Sequence, residues 1–212
     1  MQNFLNLVFP PTCIFCGNYG TSFCEACLKD CRRLRRNFSL TSPASSRPVD
    51  VFCYFVYEKK IRDCIRHSKF SKKQFVVLKE ATKYVLSDML SRRIAFPPGF
   101  IVPIPLSAAK KKYRGFNQAD LIAQMFAKAY GYSDQYSILT RQKDTVSQYR
   151  LNKEKRLENI KGAFTTSVPV KNLSFILVDD ICTTGATLIE AAETLYEAGA
   201  KSVRCFTLSM RL

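Results

Sequence analysis

Short apolar runs alternate with helical hydrophobic patterns over most of the chain. Runs rich in β-branched and aromatic residues predict strands, at positions 51–57, 100–104, 138–139, 175–179 and 203–208. Apolar residues that recur every three or four positions predict helices, at 59–67, 73–91 and 116–130, and in a helix whose inward face holds Leu188, Ala191, Ala192 and Leu195. Strands that alternate with helices predict an α/β fold with a doubly wound, mostly parallel sheet.

The segment before this domain differs from it in composition. Positions 1–36 hold a cluster of cysteines, whereas positions 37–50 are rich in Ser, Pro and Thr and show little apolar periodicity, which is typical of a linker. We therefore predict three zones: a small cysteine-containing module over 1–36, a linker over 37–50 and the α/β domain over 51–212.

Five of the nine cysteines fall between positions 13 and 31. Cys13 with Cys16, and Cys24 with Cys27, have the C-x2-C spacing that presents two thiolates on a tight turn, and two such pairs complete a tetrahedral zinc site. Four thiolates predict a closed, structural zinc ion that stabilises a module too short to form its own core. Cys31 can substitute for one ligand, and the alternative is a set of free buried thiols.

The chain carries a formal net charge of +16. Such an excess attracts polyanions, including nucleic acid, although a solvated basic surface gives the same total. No apolar stretch approaches the roughly 18 residues of a membrane helix, and the N-terminal apolar run lacks the basic leader and cleavage site of a signal peptide. Together with cysteines spaced for a metal, these features predict a cytoplasmic protein without membrane insertion.

The clearest candidate site follows the apolar strand at 175–179. Asp179 and Asp180 come at its end, where open α/β sheets bind ligands, and adjacent carboxylates suit the two vicinal hydroxyls of a ribose. The next residues allow backbone N–H groups to meet a phosphate at a helix start: Thr183, Thr184, Gly185, Ala186 and Thr187. The alternative is that Asp180 or Thr183 only caps that helix. We therefore predict a site for a ribose 5-phosphate group.

The stretch 176–187 resembles the phosphoribosyl pyrophosphate (PRPP) motif of type I phosphoribosyltransferases. The chain as a whole is similar to one branch of that fold, the ComF family of competence-associated proteins. The matching positions are the stretches 7–11, 102–106 and 114–118, together with Gln148, Leu151, Arg156, Asn159 and Phe164. They span nearly the whole chain.

The resemblance implies further contacts to PRPP, which would bind together with Mg²⁺. It implies a pyrophosphate-facing loop at Pro103, Ile104 and Pro105, a phosphate ligand at Arg114, and a flap over 141–161 that closes over the site. Lys110 stands where the family more often has Arg, so that a point charge replaces a planar fork. No side chain is assigned a catalytic role.

The ComF resemblance also implies a role in the uptake of single-stranded DNA during natural transformation, with proteins of the competence machinery as expected partners. The candidate contacts to nucleic acid are basic residues, some of them next to aromatic ones: Lys110, Lys111, Lys112, Arg150 and Arg156. For 110–112 the alternative is a solvated charge run.

Two functions fit these observations. The first is a PRPP-binding protein of phosphoribosyltransferase fold that acts in DNA uptake and binds single-stranded DNA through a basic surface. The second is an active Mg²⁺-dependent phosphoribosyltransferase that transfers ribose 5-phosphate from PRPP to an unidentified acceptor, without direct DNA binding. That reaction depends mainly on charge stabilisation of the leaving pyrophosphate, and nothing in the sequence specifies the acceptor.

Overall fold

The computed structural model describes residues 10–41, 47–69, 75–132, 138–143, 160–166 and 168–212. The described helices are α1 (Glu25–Lys29), α2 (Lys59–Ser68), α3 (Phe75–Ser91), α4 (Ala108–Arg114), α5 (Gln118–Tyr130) and α6 (Ala186–Glu197). The described strands are β1 (Arg33–Leu40), β2 (Val49–Val56), β3 (Phe100–Pro103), β4 (Leu139–Arg141), β5 (Phe164–Thr166), β6 (Ser174–Cys182) and β7 (Ser202–Met210). Within these residues, no helix combines the length and the apolar character needed to cross a membrane.

Five strands form the main sheet, in the order β1-β2-β7-β6-β3. Strands β2, β7, β6 and β3 run parallel to one another, and β1 joins as an antiparallel edge strand. A separate antiparallel pair consists of β4 and β5. The predicted α/β fold with a mostly parallel sheet is confirmed, and its parallel strands bring their carboxyl ends to one edge.

Two hydrophobic clusters cover the two faces of the main sheet. The first contains residues of α2, α3 and α5, and the second contains residues of α6, β4 and β5. Strand β6 contributes side chains to both clusters: Ile176 and Val178 belong to the first, and Phe175 and Leu177 belong to the second. A strand buried on both faces has a continuous apolar sequence, and this pattern made β6 predictable.

Both ends of the predicted linker over 37–50 lie in strands, and positions 42–46 lie outside the described residues. Strand β1 runs to Leu40 and β2 begins at Val49, and the two pair antiparallel from Arg33 opposite Phe55 to Leu40 opposite Val49. The polar composition concealed β1 because an edge strand meets solvent on one side and tolerates polar side chains. Five of its eight side chains are nevertheless partly buried.

The cysteine-containing segment shares its core with the α/β domain. Cys13, Phe23 and Leu28 belong to the same hydrophobic cluster as Leu78 and Val85 of α3. The segment therefore packs against α3, and the sequence prediction of a separate module that ends at position 36 missed this contact. The fold of the cysteine segment and that of the α/β domain depend on a common set of buried side chains.

Three further elements differ from the prediction. Strand β6 continues beyond Asp179 to Cys182, because these last residues still pair with β7. Helix α4 forms in a basic stretch that has no apolar periodicity, and none of its residues is buried. Strand β5 is too short to produce an alternating pattern in the sequence, and it is held by pairing with β4.

Candidate functional site

A cleft of about 450 Å³ opens where β6 and β3 end. Its walls come from the loop after β3, from α4, from the start of α5, from the last residues of β6 and from the segment that follows β6. The residues that line it include Tyr57, Lys69, Ile104, Pro105, Lys110, Arg114, Asn117, Gln118, Arg141, Asp179, Asp180, Thr183, Thr187 and Arg211. Carboxylates, hydroxyls and cations therefore surround one space, at the edge where open α/β sheets bind ligands.

Asp179 and Asp180 occupy successive positions near the end of β6, so that their side chains leave the strand on opposite faces. Asp180 is 6% exposed, and its carboxylate forms a 3.1 Å ion pair with the ammonium group of Lys69. Asp179 is partly exposed, and its carboxylate accepts a 2.8 Å hydrogen bond from the backbone N–H of Asp180. Both residues line the cleft, so both carboxylates are placed to meet a ligand.

The surroundings of Asp179 disfavour its negative charge. Burial raises the pKa of Asp179 well above its usual range, and the charge of Asp180 raises it further, whereas the Asp180 N–H and Lys69 act in the opposite direction. Lys69 is therefore the counter-charge of the pair. Hydrogen-bond donors from a ligand would offset part of the desolvation cost, which favours binding at this point.

The loop that connects β6 to α6 is held in place by β1. Gly185 is the N-cap of α6 and has a φ of +79°, a conformation that favours glycine. A Cβ atom on Gly185 would lie 2.5 Å from Cδ1 of Leu40, so β1 packs directly against the loop. The hydroxyl of Thr184 accepts a 3.5 Å hydrogen bond from the N–H of Ala186. The loop is thus fixed at a helix N-terminus, where backbone N–H groups and the helix dipole favour an anion.

A second wall of the cleft is formed by the loop after β3. The backbone N–H of Ile104 donates a 2.9 Å hydrogen bond to the carbonyl of Val178, and the carbonyl of Ile104 accepts a 3.0 Å bond from Nδ2 of Asn117. These bonds tie the loop to β6 on one side and to the start of α5 on the other. The wall is therefore braced by two regular elements.

Helix α4 divides its basic residues between two surfaces. It begins after Ser107, whose hydroxyl accepts a 3.5 Å hydrogen bond from the N–H of Lys110, and it ends at Gly115. Lys110 and Arg114 are four positions apart, so they lie on the same helix face, and both line the cleft. Lys111 and Lys112 are exposed and do not line the cleft.

Several residues that the sequence pointed to meet at the cleft: Ile104, Pro105, Lys110, Arg114, Asp179, Asp180, Thr183 and Thr187. Thr184, Gly185 and Ala186 form the loop and the helix start behind it, and Pro103 is buried within β3. Lys111 and Lys112 lie on the outer surface of α4. Arg150 and Arg156 lie outside the described residues.

Sequence reasoning did not assign Lys69, Asn117, Gln118 or Arg211 to the site, although all four line the cleft. Arg141, the first residue of the predicted flap, lines it as well. A lysine at the end of a basic helix has the same local pattern as a solvated charge, so only the fold reveals the ion pair of Lys69. Asn117 and Gln118 lie in the stretch 114–118 on which the family resemblance rests, and that signal could have identified them.

The four paired cysteines lie together in the N-terminal segment. The Sγ atoms of Cys13, Cys16, Cys24 and Cys27 all lie within 4.8 Å of one another, and those of Cys16 and Cys24 are 3.5 Å apart. A tetrahedral ion with metal–sulfur bonds of about 2.3 Å separates its sulfurs by about 3.8 Å. The four side chains can therefore hold a metal ion after small movements.

Local backbone structure presents these thiols. The carbonyl of Cys13 accepts a 2.8 Å hydrogen bond from the N–H of Gly17, which closes the first turn. Cys24 is the N-cap of α1, and Cys27 follows one turn later. Cys31 has another role, because its thiol donates to the carbonyl of Cys27 at 3.2 Å and its sulfur is not part of the group of four.

The thiols differ in how easily they ionise. Burial disfavours the thiolate of Cys13, but hydrogen bonds from nearby backbone N–H groups outweigh burial and lower the pKa of Cys13 to about 6. Burial raises the pKa of Cys27 to about 12, and the neighbouring thiols contribute to the increase. The first thiolate forms near neutral pH, whereas Cys27 requires the positive charge of a bound metal.

A comparison with known protein families matches residues 112–211 to the phosphoribosyl transferase domain. This range contains α5, β6, α6 and β7, and thus most of the residues that line the cleft. A solved structure with similarity is the glutamine PRPP amidotransferase from B. subtilis complexed with ADP and GMP, with a TM-score of 0.45 and 17% identity over 68% of this chain and 30% of that one. The strand order of the main sheet and the family match identify the phosphoribosyltransferase fold.

Curated relatives extend the similarity towards the N-terminus. DNA utilization protein YhgH of Salmonella typhi is 33% identical over 150 residues, which cover 70% of this chain and 66% of the relative. The protein of the same name in Escherichia coli (strain K12) is 30% identical over 158 residues, covering 74% and 70%. Competence protein ComFC of Bacillus subtilis (strain 168) is 30% identical over 158 residues, covering 73% and 61%.

The raised pKa of Asp179 makes stability depend on pH. A carboxyl group with a higher pKa in the folded chain than in the unfolded chain takes up a proton on folding, so the free energy of unfolding falls as pH rises through that window. We predict that ligand-free Asp179→Asn has a higher Tm than wild type at pH 7.5. For a chain of this size, each 1 kcal/mol of additional free energy of unfolding raises the Tm by roughly 2–4 °C. The difference should shrink at pH 4.5, and thermal unfolding followed at both pH values measures it. A higher Tm for wild type than for Asp179→Asn at pH 7.5 would contradict a raised pKa of the Asp179 carboxyl group.

Proposed function

The chain belongs to the ComF family, whose domain has the type I phosphoribosyltransferase fold, and on that premise we propose that it binds PRPP in the cleft and acts in DNA uptake during natural transformation. The relatives bear names of DNA utilization and competence proteins, and these names support the proposed cellular role. The match spans 61–70% of the three relatives described above.

The main support for PRPP binding is that three kinds of chemical group line one cleft. Asp179 and Asp180 supply acceptors for the ribose hydroxyls, and the loop 183–187 supplies amides and hydroxyls for the 5-phosphate. Arg114 and Lys110 supply positive charge for the diphosphate, and the loop 103–105 forms the wall beside them. Each part of PRPP therefore has a chemically matched surface within about 450 Å³.

Mg²⁺ bound together with PRPP would neutralise part of the diphosphate charge. The chain's own contribution is to fix the two ends of the ligand. The helix start at Ala186 holds the 5-phosphate, and the carboxylates of Asp179 and Asp180 hold the sugar. Lys69 neutralises Asp180 at 3.1 Å in the ligand-free protein, and its ammonium group becomes available to ligand oxygens when hydroxyl groups take over that carboxylate.

Loss of both carboxylates should abolish PRPP binding. Hydrogen bonds to charged groups contribute roughly 1.5–3 kcal/mol each, so Asp179→Asn with Asp180→Asn should weaken Mg²⁺–PRPP binding by at least about 100-fold in calorimetry. Asp30→Asn with Asp50→Asn removes the same charge from two exposed positions and should bind as wild type does. Equal affinity of the cleft variant and wild type would refute the site.

We further propose that the outer surface of α4 contacts single-stranded DNA. Lys111 and Lys112 are exposed, and Tyr113 beside them is 78% exposed. An exposed aromatic ring next to cations suits a stacked base and its phosphates. Because this surface lies on the helix that carries Lys110 and Arg114, DNA would bind beside the PRPP cleft.

DNA binding should respond to this surface and to salt. Lys111→Glu with Lys112→Glu should weaken binding of a labelled single-stranded oligonucleotide by at least about tenfold at low salt, and should reduce the slope of log affinity against log salt by about 0.7 for each phosphate that the protein no longer neutralises. Lys171→Glu with Lys201→Glu makes the same charge change at exposed positions near the amino ends of β6 and β7 and should have a smaller effect. Equal reductions of affinity in both variants would mean that net charge alone governs binding.

For the cysteine site we propose a structural zinc ion held by Cys13, Cys16, Cys24 and Cys27. Four thiolates form a closed set of the kind that binds zinc and leaves no open position for a substrate. Because the segment shares its core with α3, the ion would stabilise the packing of that helix as well.

Metal analysis of the purified chain should give about one zinc ion per molecule. Cys13→Ser with Cys27→Ser should lose the ion and lower the Tm, because the binding free energy of a structural metal contributes to folding. Cys31→Ser removes a thiol outside the group of four and should keep the ion. A folded, metal-free wild-type protein, or loss of zinc from Cys31→Ser, would overturn the assignment.

A further inference from the structure

Gln118 presents a buried polar group that the rest of the structure does not use. The side chain is 2% exposed and lines the cleft, and its Nε2 atom has no hydrogen-bond partner within the described part of the chain. Native proteins pair nearly all buried polar atoms, so an unpaired one requires an explanation. A ligand that supplies an acceptor would provide it.

The position of Gln118 is fixed by its neighbours. It is the first residue of α5, a helix of 13 residues, and it follows the N-cap Asn117. The side chain of Asn117 accepts a 3.2 Å hydrogen bond from the N–H of Ala119, and it donates to the carbonyl of Ile104 at 3.0 Å and to Asp120 at 2.8 Å. The start of the helix is therefore held rigidly against the loop after β3.

The electrostatics at this point favour an anion. The N-terminus of α5 carries the positive end of the helix dipole, and Arg114 and Lys110 line the same cleft. Asp120 in the first turn is occupied by its bond from Asn117, and it does not line the cleft. The unpaired atom is a donor, so its natural partner is an oxygen that only accepts.

We propose that Gln118 and the N-terminus of α5 form a subsite for the diphosphate of PRPP, with Nε2 donating to a phosphate oxygen. This inference rests on the proposed function and adds Gln118 to the residues that distinguish PRPP from ribose 5-phosphate. Nε2 is buried in this structure. Rotation about the terminal side-chain torsions, which are broad for glutamine, turns the carboxamide to the ligand.

Calorimetry on the full chain with Mg²⁺ tests the subsite by comparing PRPP with ribose 5-phosphate. Gln118→Glu replaces the donor by a carboxylate, which only accepts hydrogen bonds and is negatively charged like the ligand. It should weaken PRPP binding by at least about tenfold. Gln118→Met removes the donor without adding charge and should weaken it by about five- to tenfold. Both variants should bind ribose 5-phosphate within about twofold of wild type, because that ligand lacks the diphosphate.

Two controls separate this role from a structural one. Gln124→Glu makes the same substitution at an exposed position of α5 and should change neither affinity. The Tm of Gln118→Met should not fall, because the substitution removes a polar atom that has no partner.

The outcomes also separate this inference from the proposed function. Wild type that binds neither ligand would refute PRPP binding itself. Suppose that wild type binds both PRPP and ribose 5-phosphate. If the Gln118 variants then lose affinity for both ligands equally, or for neither, the diphosphate subsite is refuted and the ribose phosphate site is not. A selective loss of PRPP affinity supports the subsite.

Discussion

Two acidic side chains at the end of a buried strand set the requirements for the rest of the cleft. Strand β6 is apolar on both faces up to Val178, so Asp179 and Asp180 lie where the buried core meets the cleft. Such a pair needs a counter-charge or donors, and the ligand-free protein supplies Lys69 at 3.1 Å. Burial and the neighbouring charge of Asp180 raise the pKa of Asp179, so one of the two carboxylates that would bind a sugar is held where its ionisation is unfavourable. Sites that bind ligands commonly retain such strain.

The rest of the fold holds this pair between two walls of different chemistry. Behind it, β1 packs Leu40 against Gly185 and fixes the start of α6, which favours a phosphate. Beside it, the loop after β3 is tied to α5 through Asn117, and α4, which follows this loop, carries the positive charges of Lys110 and Arg114. A ligand with a phosphate at one end, hydroxyls in the middle and a diphosphate at the other end matches this order of groups. The cysteine segment packs against α3 in the same core and so supports this arrangement indirectly.

The parts that could be predicted from the sequence are those whose signals are local. The apolar run of β6, the two acids and the small and hydroxyl-bearing residues after them are contiguous, so the single stretch 176–187 indicated both the element and its chemistry. Lys69 could not be predicted, because its role depends on a partner far along the chain. The roles of the basic residues in α4 could not be predicted separately either, since only the helix shows that Lys110 faces the cleft and Lys111 faces away from it. Strand β1 was concealed by its edge position, which permits a polar composition.

The most direct test is a crystal structure of the full chain grown with Mg²⁺ and PRPP. We expect the ribose 2′ and 3′ oxygens within about 3 Å of the carboxylates of Asp179 and Asp180, with the 5-phosphate on the loop 183–187 and hydroxyl groups in place of Lys69 at Asp180. A sugar bound elsewhere, or a cleft that stays empty with the Lys69–Asp180 pair unchanged at saturating ligand, would contradict this interpretation.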